Sequence, residues 1–201
     1  MKRLSDMGLP AEKGDPALAR ILDAVKSRET EGYAYDSAQA SFELLAREEL
    51  GLAPSFFDVE RYRVISERRR NAKGEIVVES EAVVTIATRE GPKTSYFKNE
   101  HAQDMQDDGP VNALWQALKS DLGPYQEAIG DMRLTDFKVR ITQGGTEAVT
   151  RVIIDFADDD GRAWATVGVS ANIVDASFEA LVDAINWKLV QATNAVAAKP
   201  A

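Results

Sequence analysis

The single histidine, His101, and the absence of cysteine set the chemical limits of this 201-residue chain. Without cysteine there is no disulfide framework, no thiolate metal site and no Cys nucleophile. His101 stands at the end of an extended segment with no Ser or Cys motif beside it, so a surface imidazole is the better reading than a general base. Carboxylates cluster twice. Asp104, Asp107 and Asp108 lack the order of a calcium loop and have no closing Glu. Asp158-Asp159-Asp160 runs into Gly161 and reads as a hairpin turn. Gly144-Gly145 is followed by no helix start and is no phosphate loop. Arg68-Arg69-Arg70 is a short turn flank in a chain whose 24 basic and 33 acidic residues leave a net charge of −9. An acidic chain of this kind is poorly suited to nucleic acid or an anionic membrane. No apolar run nears the roughly 20 residues of a membrane helix, and MKRLSDMGLP has no apolar signal core. A cytoplasmic location is expected.

Residues 1–14 are polar, with Gly and Pro, and read as a flexible lead-in. Asp15 can cap a helix and Pro16 suits its first position. Leu18, Ile21, Leu22 and Val25 line one helical face, and Gly32 ends it. Asp36 and Gln39 form a capping-box pattern for a second helix carrying Ala38, Phe42 and Leu45, closed by Gly51. This helical linker over 15–53 is too short to bury its own faces and should pack on something else. After Pro54 the period becomes two. Strands are predicted over 57–67, 76–88 and 93–102, with Val59, Arg61, Arg63 and Ile65 on one face of the first and Tyr62 and Val64 on the other. A helix over 111–122 follows. The order then repeats, with strands over 132–142, 148–156 and 163–170 and a helix over 175–195.

The two halves match weakly in identity but consistently in order, the alternative being two meanders alike by chance. Glu81-Ala82-Val83 falls against Glu147-Ala148-Val149. Val111, Asn112, Ala113, Trp115, Ala117 and Leu118 fall against Val174, Asp175, Ala176, Phe178, Ala180 and Leu181. Tyr62-Arg63-Val64 falls against Phe137-Lys138-Val139. The expected fold is therefore α+β: two pseudo-twofold βββα units, over about 57–123 and 132–195, in one domain over 54–201. Antiparallel sheets each covered by one helix leave strand edges open, which favours a homodimer.

Three stretches carry a resemblance: GPVNAL (Gly109 to Leu114), LTDFKVRI (Leu134 to Ile141) and TVGVSANIVDASFEAL (Thr166 to Leu181). Together they resemble the C-terminal regulatory half of citramalate synthases, close relatives of 2-isopropylmalate synthases. EGYAYDSAQASFELLAREELG (Glu31 to Gly51) is similar to the linker helices of that family. The resemblance implies an N-terminal (β/α)₈ barrel that holds a divalent metal and transfers an acyl group from acetyl-CoA to a 2-oxo acid. This chain has no H-x-H pair and is too short for a barrel, so it reads as a fragment that begins in the linker and ends at the C-terminus. Alone it is expected to be no enzyme and to hold no cofactor.

The resemblance also implies a dimeric amino-acid sensor for feedback inhibition of isoleucine or leucine biosynthesis. Matched by motif, the effector-binding residues are Asp108, Gly109, Val111 and Asn112 at the helix start, then Leu134, Phe137, Ile141, Ala148, Thr150 and Val169 on the strands. The chemistry is coherent. A helix N-terminus suits the carboxylate of a zwitterion, Asp108 or nearby carbonyls suit its ammonium, and the apolar residues suit a branched tail. Pattern alone reads those apolar residues as core. Isoleucine is favoured because the motifs resemble citramalate synthases. A leucine-sensing 2-isopropylmalate synthase domain and a ligand-free dimerisation module are the alternatives. An ACT-type sensor has the order βαββαβ, which three strands before each helix do not match.

Overall fold

The computed structural model describes residues 2–10, 14–102, 109–143 and 148–197. Helix α1 (Lys2–Asp6), α2 (Pro16–Glu31) and α3 (Gln39–Glu49) precede two three-stranded sheets. The first comprises β1 (Phe57–Arg70), β2 (Ile76–Thr88) and β3 (Gly91–Ala102), followed by α4 (Pro110–Ser120) and a short α5 (Gln126–Ile129). The second comprises β4 (Arg133–Gln143), β5 (Val149–Ala157) and β6 (Ala163–Ser170), followed by α6 (Ile173–Ala197). Both sheets are antiparallel meanders with the middle strand second in sequence. The expected βββα–βββα order is present. The chain groups into two compact units: residues 55–130, and residues 1–54 with 131–201.

The first strand of each sheet carries a register shift, between Val59 and Arg61 and between Leu134 and Asp136. Glu60 and Thr135 are thus the extra residues, each two places before the matched Tyr62 and Phe137. A bulge at the same place in both halves is independent support for the repeat. It also corrects the strand faces. Val59 pairs with Ile86 and Tyr62 with Val84, so Val59 shares a face with Tyr62 rather than with Arg61. Strict alternation fails because the bulge adds one residue.

In residues 55–130, α4 lies over β2 and β3 and buries Ala113, Leu114, Trp115, Ala117 and Leu118 against Ala82, Val84 and Ile86. Ser95 in β3 donates to the carbonyl of Asp121 at the end of α4. The other face of this sheet is a charged ladder in which Lys98 and Arg69 meet Glu79, and Arg69 meets Glu100. Lys98's hydrogen bond holds Glu79 below the usual carboxylate range.

In the other unit, α6 lies over β5 and β6, burying Val152, Ile154 and Phe156 under Ala176, Ala180, Leu181, Ala184 and Ile185. Thr166 donates to the carbonyl of Ala180. The opposite face receives the helical linker. Leu4, Leu9, Ile21, Tyr33, Tyr35, Phe42 and Leu45 form one cluster with Val167. Two expectations are corrected here. Residues 1–14 are not a loose lead-in throughout, because α1 and Leu9 join this core. Asp36 does not cap α3: a 3-10 turn over Tyr35–Ser37 intervenes and Ala38 takes the cap position without a side-chain bond. Asp15 caps α2 as expected, and Gly32 ends it at φ 115, where a left-handed residue is needed.

Candidate functional site

The second sheet leaves one strip of apolar side chains uncovered. Leu134, Phe137, Val139 and Ile141 of β4 pair with Phe156, Ile154, Val152 and Thr150. Directly opposed residues share a face, so this strip lies on the face that α6 covers further along. Because α6 lies over β5 and β6, β4 stays bare: Val139 is 40% exposed and Ile141 69%. Leu134 and Phe137 are half-buried. They stand three residues apart, which strict alternation would put on opposite faces. The bulge at Thr135 brings them to the same one.

The structure therefore brings together Leu134, Phe137, Ile141 and Thr150. Ala148 lies just ahead of β5 and is half-buried. Val169 lies apart from them. It pairs with Arg151 on the face under the linker, with its Cγ1 3.4 Å from where a side chain on Gly32 would begin.

The helix-start residues belong to the other unit. Gly109 is the N-cap of α4, extended at φ −79, with open space where a Cβ would stand. Neither a left-handed backbone nor crowding calls for glycine there. Pro110 has no amide hydrogen, and the bond from the Ala113 amide to the Gly109 carbonyl closes the first turn. Val111 and Asn112 are half-buried between them. Asp108, Asp104, Asp107 and Gly144-Gly145 lie outside the described residues, and so does the side chain of His101.

Sequence reading missed the buried charges of the second unit. Asp158 is more than a turn residue: its side chain is fully enclosed and accepts from Lys188 Nζ at 2.7 Å and from Arg162. Burial opposes its ionisation, yet these hydrogen bonds carry its pKa down to about 2. Lys188 also reaches Asp131 at 3.0 Å. On α3, Glu43 is 5% exposed and accepts from Arg47, Gln191 and the indole of Trp187. The i,i+4 spacing of Glu43 and Arg47 was the one available signal. Among the described residues no group of three or more His, Asp or Glu is placed to hold a metal, and no helix is long and apolar enough to cross a membrane.

Residues 36–189 match the LeuA allosteric (dimerisation) domain family. The chain belongs to that family. Among curated relatives, it is 37% identical over 191 residues to "(R)-citramalate synthase" of Geobacter sulfurreducens, covering 94% of this chain and 34% of that protein. It is 36% identical over 191 residues to the enzyme of the same name from Aquifex aeolicus, again 94% of this chain and 34% of that protein. A "Probable 2-isopropylmalate synthase" of Archaeoglobus fulgidus is 29% identical over 129 residues, 63% of this chain and 24% of that protein. The chain thus spans about a third of the length of the curated citramalate synthases it matches. As a LeuA allosteric domain it is a regulatory and dimer-forming module, and it corresponds to a small part of larger enzymes.

Proposed function

We propose that this LeuA-type domain is the amino-acid sensor of a citramalate synthase-like enzyme. It acts as a cytoplasmic homodimer and takes a branched-chain amino acid, isoleucine ahead of leucine, as a feedback inhibitor. The observation that carries the reading is the bare apolar strip of β4. Side chains such as Ile141 at 69% exposure need a cover that is apolar, which a branched tail or a second copy supplies. In this proposal Leu134, Phe137, Ile141, Ala148 and Thr150 take the tail. Asp108, Gly109, Val111 and Asn112 take the charged end, using first-turn amides and the helix dipole for the carboxylate. Val169 faces the linker and is proposed only to support β6. The chain itself holds no cofactor. Acyl transfer from acetyl-CoA to a 2-oxo acid, with a divalent metal, belongs to a barrel outside these residues. Inhibition requires the effector to prefer one arrangement of the whole enzyme over another. The preference for isoleucine is part of the proposal and leans on the likeness to relatives named citramalate synthase, one of them 37% identical.

Calorimetric titration with isoleucine, leucine and valine tests this, beside light scattering for a particle of about twice the 22.0 kDa chain mass. Isoleucine should bind most tightly. Phe137→Ala should weaken it tenfold or more, since loss of about 1.4 kcal/mol of contact suffices. Tighter leucine binding would move the chain to the isopropylmalate branch. A dimer that binds none of the three would be a ligand-free dimerisation module.

A further inference from the structure

The linker is held to the second sheet by a polar seam at the free edge of β6. Among the described residues that strand pairs only with β5, so the amides of Val167 and Val169 point away from the sheet. Side chains satisfy both. Val167 N–H donates to Ser41 Oγ of α3 at 3.0 Å, and Ser41 donates in turn to Asp183 Oδ2 of α6 at 2.6 Å. Val169 N–H donates to Glu179 Oε2 at 2.9 Å, while Glu179 Oε1 accepts from Tyr33 at 2.5 Å. Arg28 of α2 donates to Tyr33 and lies 3.7 Å from Glu179.

We propose that the Ser41–Asp183 junction is a proton-operated latch, closed while Asp183 is protonated and loosened as it ionises, that sets how firmly the helical linker docks on β6. The geometry gives the reason. Asp183 and Glu179 stand four residues apart on one helix, a repulsive spacing when both are charged. The groups acting on Asp183 are Glu179 on its own helix, Glu48 on α3, Arg28 on α2 and the Tyr35 hydroxyl on the 3-10 turn. Arg28 is the only cation in that set, and it also serves Glu179. An ionised Asp183 at the α3–α6 contact is therefore only partly compensated, by the Ser41 hydroxyl and a shared Arg28. Lifting α3 hydrates it and leaves the Val167 amide without its acceptor. Desolvation leads in pushing the Asp183 carboxyl up, Glu179 and Glu48 add to it, Ser41 and Arg28 oppose it, and the result is about 7.

The sign follows from linkage. A carboxyl raised in the closed state, against an ordinary value of 3.8, binds its proton more tightly closed than open. Opening therefore becomes about tenfold easier per pH unit between about 4 and 7 and levels off above. Hydrogen exchange of the unliganded 201-residue chain reads this directly, after correction for intrinsic exchange. Protection of the Val167 amide and of α3 should fall about tenfold from pH 5.5 to 6.5 and flatten above pH 7. Asp183→Asn keeps an acceptor for Ser41 but carries no charge, so its protection should be flat and high. Ser41→Ala removes a bond that favours the ionised form, so its plateau should move to higher pH. A flat wild-type profile, or an equal slope in Asp183→Asn, overturns the latch. Should Asp183→Asn not fold, carbon NMR of the wild-type carboxyl decides: titration near 7 supports the latch and titration near 4 ends it. Neither readout depends on effector binding.

Discussion

The two βββα units share strand order, a bulge in the first strand and a hydroxyl on the third that bonds to the covering helix or its C-cap, yet they are finished differently. Ser95 and Thr166 are matched by register; Thr166 donates to the carbonyl of Ala180 within α6, and Ser95 to that of Asp121, the residue just past the end of α4. Two residues further along their strands the units diverge. Phe97 pairs with Ala82 in the first sheet, whereas Gly168 pairs with Val152 in the second. The small residue is on the middle strand in one and on the edge strand in the other, so each helix has room over a different strand. At Gly168 the approach is extreme: a Cβ there would stand 1.9 Å from the carbonyl oxygen of Ala176. The remaining faces differ as well. The first sheet keeps a solvated charged ladder, while the second is covered on its other face by the linker and encloses charges. The same supersecondary pattern thus tolerates opposite electrostatic solutions, with solvated ion pairs on an open face in one unit and an enclosed pair beneath the helix in the other.

Charge deletion should separate the units most. Lys188→Met leaves Asp158 enclosed without its main partner and should cost about 3–5 kcal/mol in a denaturant melt. Lys98→Met, in the solvated ladder, should leave the midpoint unchanged. Equal losses would mean that the enclosed pair is hydrated in solution.

Glycine substitution should give the next contrast. Gly168→Ala drives a methyl into helix backbone, which cannot yield as a side chain would, and should cost about 3 kcal/mol. Gly109→Ala meets nothing within 4 Å at an ordinary φ and should stay within about 0.5 kcal/mol. A tolerated Gly168→Ala would show that α6 stands further from β6 than described.

Acid should act most strongly on the second unit, since the lowered carboxylate of the first, Glu79, lies in a solvated ladder. The Asp158 pKa is lowered in the fold to about 2 from 3.8, so its contribution is present above about pH 4 and is lost as pH falls toward 2. The size is about 2 kcal/mol. Asp158→Asn should flatten that limb of the stability curve between pH 4 and 2. An unchanged limb would assign acid sensitivity elsewhere.

Local chemistry was legible from the chain wherever it is settled by neighbours in sequence. Asp15, Pro16 and Gly32 bound a helix because capping and left-handed backbone are short-range effects. Period-two patterning located six strands, and matched turns located the repeat, because each strand must bury one face. Family resemblance marked Leu134, Phe137 and Ile141. What put them on one face was the bulge at Thr135, which composition does not announce. Bulges, the closeness of α6 to Gly168 and the pairing of Lys188 with Asp158, 30 residues away, depend on which helix lands on which strand. The same holds for Ser41, an ordinary helix serine by sequence, whose hydroxyl bridges an amide and a carboxyl 126 and 142 residues distant. Such groups become structural only after burial removes water as their alternative partner, and burial is a property of the assembled fold.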